Sequence, residues 1–143
     1  MNHAEICARI PHGGSMCLLD RVLAWDAVHI ECRAVSHRDP ANPLRRAGRL
    51  ASVCGIEYAA QAMALHGSLL AAADAPPTLG YLASLRDVSL DVERLDDVAA
   101  ELTIHAERLS GGADSFLYSF RVTAGERPLL SGRSAVKLLG ALP

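Results

Sequence analysis

The stretch VCGIEYAAQAMALHGSLLAAA, residues 53–73, constrains the fold more than any other part of the chain. It predicts one long helix over about 50–71, stopped before ADAPPT, where two prolines forbid continuation. Val53, Ile56, Ala60 and Met63 fall on one side of that helix, and Tyr58, Ala62, Leu65 and Leu69 on another. A rod that is apolar around most of its circumference must be covered on more than one side. A bilayer needs ~20 such residues. Here, however, Glu57, Gln61 and His66 interrupt the run, and a charge at membrane depth costs about 2.5–3.5 kcal/mol on insertion scales. The reading is a helix buried in a soluble domain, covered by a curved sheet and by a second subunit.

The rest of the chain supplies the sheet. Residues 28–35, VHIECRAV, alternate, with Val28, Ile30, Cys32 and Ala34 on one face and His29, Glu31 and Arg33 on the other. With the preceding RVLAW they predict a hairpin turning near Asp26 and Ala27, after a short opening helix. Residues 36–48 hold two prolines and a glycine and read as a structured loop. After the helix come strands only. DVSLDV places Val88, Leu90 and Val92 together, and ELTIHAERL turns Leu102, Ile104 and Ala106 inward. SFLYSFRVT gathers Phe116, Tyr118, Phe120 and Val122, and PLLSGRSAVKLL is the last strand. Turns fall at SGGAD and AGE. One long helix among antiparallel strands is an α+β fold, expected as a single domain over residues 1–143 and as a dimer.

With 143 residues the chain can bury roughly 70% of its unfolded surface. A net charge of −2 and a pI near 6.3 favour neither nucleic acid nor an anionic membrane as partner. Cys7, Cys17, Cys32 and Cys54 form no C-x-x-C pair, which argues against a zinc site, and nothing suggests a disulfide framework. The first residues, MNHAEICARIPHGG, lack a basic start followed by an apolar run, so the expected compartment is the cytoplasm. There is no G-x-S-x-G and no phosphate-binding glycine loop.

Glu57, Gln61, Ala64 and Ser68 make one narrow stripe on the helix. Either Glu57 is hydrogen-bonded to Gln61 in a structural network, or its apolar setting raises its pKa so that it can deliver a proton near neutral pH. Histidines are the natural partners, because they titrate nearest pH 7. His66 lies about half a turn away from Glu57, and His29 and His105 sit on polar strand faces and are expected to be solvated. His12 and His37 remain, both in loops. Either one is a structural residue or a catalyst. Arg38, Arg45, Arg46 and Arg49 form a basic patch before the helix, which is either a solvated loop or a docking surface for a phosphate or an acidic partner.

IPHGGSMCLLDRV resembles the opening of the hotdog-fold β-hydroxyacyl-(acyl carrier protein) dehydratases, with their Pro-His and Leu-x-Asp-Arg-Val run. NPL followed by EYAAQAM is similar to that family's Glu-x-x-x-Gln helix signature, and LRDVSLDVERLDDVAAELTIHAERL to its strands after the helix. The chain most resembles the short branch associated with aryl-polyene and related polyketide-type clusters. The resemblance implies a hotdog fold, a sheet wrapped around one central helix, paired with itself or with another hotdog subunit. It implies a dehydratase that converts a 3-hydroxyacyl thioester on acyl carrier protein to the trans-2-enoyl thioester, with no metal or organic cofactor. Glu57 would be the acid, Gln61, Cys54 and Gly55 would line the substrate, with oxyanion donors near the latter two, and Arg45, Arg46 and Arg49 would face the carrier. The family's Gly-His-Phe-Pro loop is absent here: NPLRRAGRLASVCGIE carries no histidine. His37 or His12 would then be the base, or catalysis has been lost. A hotdog thioesterase and a non-catalytic acyl-binding subunit are the alternatives.

Overall fold

The computed structural model describes residues 1–10, 14–71 and 78–141. Helix α1 (His3–Cys7) precedes strands β1 (Arg21–Trp25) and β2 (His29–Ala34). Helix α2 (Gly55–Leu70) is followed by β3 (Thr78–Leu90), β4 (Leu102–Gly111), β5 (Ser115–Ala124) and β6 (Arg127–Ala141). The six strands form one antiparallel sheet in the order β1-β2-β4-β5-β6-β3, and α2 lies on its β2, β4 and β5. The alternation read from the sequence places the core. Ile30, Cys32 and Ala34, then Leu102, Ile104 and Ala106, then Tyr118, Phe120 and Val122 are buried, opposite Tyr58, Ala59, Ala62 and Leu65 of α2. Hairpin β1–β2 turns where expected, because the Asp26 carboxylate accepts the Val28 and His29 N–H groups at 2.8 and 2.7 Å.

Four expectations need correction. The helix begins at Gly55, since Leu50 is drawn into a contact 46 residues away: its N–H donates to Asp96 Oδ1 at 2.8 Å and its carbonyl accepts from Leu95. A 3₁₀ turn, Ser52–Cys54, links this anchor to α2. The strand read as DVSLDV is longer and starts earlier, and Val92 lies outside it; Asp87 at φ 54° interrupts its register with β6. His29 and His105 are half-buried, with their rings tilted by 41° and 5.3 Å apart between centroids. Cys7 and Cys17 are joined by a disulfide, which residues ten apart on an irregular segment did not announce. No described helix is long and apolar enough to cross a membrane.

The far end of α2 is tied down by polar groups. The Arg108 guanidinium donates to Tyr118 Oη, whose hydroxyl donates to His66 Nδ1 at 2.8 Å, while His66 Nε2–H donates to the Asp26 carbonyl at 2.8 Å. This fixes a neutral imidazole, and burial pulls the His66 pKa below its ordinary 6.5. Burial lowers the His37 pKa in the same way. In the unfolded chain both rings take up a proton near pH 6.5, whereas in the folded protein they resist it until lower pH. Their contribution to stability is therefore complete above pH 6.5 and is lost as the pH falls through the folded values. The urea midpoint is expected to fall between pH 7 and pH 5, and His66→Gln to fall less steeply. Equal pH slopes for the two proteins would contradict this account.

Candidate active site

Glu57 sits in the first turn of α2 and Gln61 one turn later, so their side chains share a face. Gln61 is fully buried and all its bonds are accounted for. Its Oε1 accepts the Leu18 N–H at 2.9 Å, and its Nε2 donates to the Met16 carbonyl at 2.7 Å and to Glu57 Oε1 at 3.2 Å. The helix thus grips the segment 16–18 through one amide. That same amide holds one oxygen of the Glu57 carboxyl.

The segment is held from its other side too. Asn42 Nδ2 donates to Tyr58 Oη at 3.1 Å, the Tyr58 hydroxyl to Ser36 Oγ at 2.8 Å, and the Ser36 hydroxyl to the Leu18 carbonyl at 2.8 Å. Tyr58 is the neighbour of Glu57 on α2 and is itself buried, which raises its phenol pKa. This strap, residues 16–18, is held at both the N–H and the carbonyl of Leu18, and it holds Gln61 in turn. Asn42 stands in NPL and Tyr58 in EYAAQAM, and a polar pair spaced around a loop and an apolar helix is the signal in the sequence that marks them.

The other candidates separate. His37 is sealed from solvent, and its Nε2–H donates to the carbonyls of Val98 and Ala100 at 2.9 and 3.0 Å. Its Nδ1 is buried without a hydrogen bond. The His37 ring is held by residues 98 and 100, whereas the Glu57 carboxyl is held by Gln61. His12 lies outside the described residues. Gly55 is buried against β6; a Cβ there would stand 2.5 Å from Leu130 Cδ2. The Cys54 N–H donates to the Ala51 carbonyl and the Gly55 N–H to those of Ser52 and Val53, so the 3₁₀ turn uses both groups internally. The Cys54 thiol is half-buried, which raises its pKa.

Of the arginines, Arg45 is a brace, donating to the carbonyls of Gly48 and His37 at 3.0 Å each. Arg46 and Arg49 are exposed. A shallow cleft of 310 Å³ lined by Asp87, His105, Arg121 and Arg133 holds none of these residues.

The family model that matches the chain is ApeP-like, described as ApeP dehydratase, over residues 4–137. No curated protein matches. Among solved structures the chain is similar to the dehydratase heterocomplex ApeI:P from Xenorhabdus doucetiae, with TM-score 0.81 and 22% identity over 94% of this chain and 91% of that one. It is also similar to a thioesterase family protein from Silicibacter pomeroyi, with TM-score 0.66 and 15% identity over 96% and 98% of the two chains. AziG of S. sahachiroi aligns with TM-score 0.63 and 17% identity, covering 92% of this chain and 99% of that one. At these identities the likeness establishes the fold, which is the expected hotdog.

Proposed function

The chain belongs to the ApeP-like dehydratase family, and from that premise we propose that it removes water from a 3-hydroxyacyl thioester carried on acyl carrier protein. The product is the trans-2-enoyl thioester. The observation that supports this reading most is the Glu57 carboxyl, held at Oε1 by the buried Gln61 amide. That amide sets where the carboxyl points, and Glu57 would deliver a proton to the departing hydroxyl.

The α-proton needs a base, and in this reading it is His12. His37 is closed to solvent with one nitrogen committed, whereas His12 stands four residues before Met16, whose carbonyl Gln61 holds. Exposed Arg46 and Arg49 would meet the acidic carrier, with Arg45 shaping their loop.

The second hotdog subunit belongs along β3. This strand is an edge of the sheet, and Tyr81, Leu85, Val88 and Leu90 are exposed along it, as is Val53 just before α2. Leu90 pairs with Leu130, the residue that packs on Gly55. A partner on β3 would therefore stand one residue pair from the start of the Glu57 helix.

Intact mass of a short 3-hydroxyacyl carrier protein, incubated with the purified chain, tests the reading. Loss of one water is the expected result. Free carrier thiol would instead establish a thioesterase. An unchanged acyl group, turned over only after a second hotdog subunit is added, would make this chain the supporting half of a pair.

A further inference from the structure

We propose that His3, Cys7 and Cys17, in the reduced protein, bind one zinc ion. The cluster lies on α1 and the segment that follows it, and the proposal stands apart from the dehydratase reading. His3 and Cys7 are four residues apart on α1 and so share a face. The Asn2 side chain accepts the Glu5 N–H at 2.9 Å and caps this turn, which sets where His3 begins. Cys17 returns to the same place, and the three donor atoms all lie within 4.8 Å of one another.

The tautomer of His3 suits a ligand. Its Nδ1 lies 2.7 Å from the Leu19 carbonyl, which can only accept, so Nδ1 carries the hydrogen. In the neutral ring Nε2 is then a bare lone pair, 3.5 Å from Cys7 Sγ. A metal-bound histidine commonly has its second nitrogen tied to a backbone carbonyl in this way. Ligands of a tetrahedral zinc, at about 2.0–2.1 Å for nitrogen and 2.3 Å for sulfur, stand roughly 3.6 Å apart. The Nε2 to Sγ separation is already close to that. Two thiolates and an imidazole select a soft or borderline cation over magnesium or calcium. His3 is exposed, Cys7 half-buried and Cys17 buried, so the fourth position faces solvent and water can fill it.

The disulfide and the metal are alternative occupants of the same two sulfurs. Reduction by a small thiol takes two electrons and two protons into Cys7 and Cys17 and releases the reductant as its own disulfide. Zinc then displaces the two thiol protons. Cys17 lies between Met16 and Leu18, the two residues whose backbone Gln61 holds. Zinc would therefore anchor the strap on which the Glu57 site rests.

The full-length protein, reduced with a phosphine and freed of it without air, would be titrated with Zn²⁺ against a chromophoric chelator. One equivalent is expected to bind and to raise Tm. His3→Ala and Cys7→Ser should each weaken binding by about 100-fold or more, with Glu57→Gln binding as the wild type does. His3 is exposed, so its variant tests the site even if Cys7→Ser folds poorly. Failure of the reduced wild type to bind zinc, or equal binding by His3→Ala, would overturn the proposal. Neither result depends on whether the protein dehydrates anything.

Discussion

Glu57→Gln is expected to lower kcat/KM for dehydration by about 10²–10⁴-fold with little change in Tm. The substitution keeps the length and shape of the side chain. The Gln61 amide can still donate to its carbonyl oxygen, so the 16–18 strap should stay in place. What is lost is the proton that Glu57 would transfer. The fall should therefore appear in kcat, with KM nearly constant, because substrate binding and the strap are untouched. Gln61→Ala is the instructive contrast. It leaves the Leu18 N–H and the Met16 carbonyl without their partner and removes the amide's hydrogen bond to the Glu57 carboxyl, so it should cost stability and activity together. If Glu57→Gln kept wild-type turnover, the proton would have to come from another group.

Leu65→Ala should destabilise the protein by about 2–5 kcal/mol. Leu65 is wholly buried in the second half of α2, in the same cluster as the inward residues of β2, β4 and β5. Truncation removes the side chain from a close-packed layer between helix and sheet, and the sheet cannot collapse into the space without bending. For a chain of this size the loss corresponds to roughly 6–15 °C in Tm, readable by thermal unfolding. Val53→Ala provides the comparison, because Val53 is 52% exposed in the isolated chain. Its effect should stay within about 0.5 kcal/mol where the chain is alone, and should grow with protein concentration where a second subunit covers it. A cost for Leu65→Ala as small as that for Val53→Ala would mean that α2 is not the centre of the core.

The parts of this structure that the sequence announces are those whose surroundings follow from their own pattern. Leu102, Ile104 and Ala106 alternate because one face of β4 meets α2, and the burial follows the alternation. The stripe of Glu57 and Gln61 was legible for the same reason. What stayed hidden depends on distant partners. The start of α2 is set by Asp96, 46 residues from Leu50. Arg94 beside Asp96 holds that carboxyl well below the usual carboxylate range. Over residues 80–90 β3 has no buried face to impose a period, so the part before Asp87 does not read as a strand in the sequence. His37 looked like a loop histidine, and only the approach of residues 98–100 makes it an interior one. His3, Cys7 and Cys17 meet although Cys7 and Cys17 are ten residues apart, a separation that no C-x-x-C spacing marks.

The unpartnered edge of β3 also bears on how this chain fares during synthesis. Its backbone offers a ready row of donors and acceptors, its side chains are mostly apolar, and Arg86 and Asp87 are the only charges it carries. An edge of that kind accepts any compatible strand and so seeds aggregation. The second subunit proposed along β3 would have to reach it before other nascent chains do. Yield of soluble protein should then track the supply of that subunit, and a lone charge placed mid-strand, as in Leu85→Lys, should keep the chain in solution while preventing the proposed assembly.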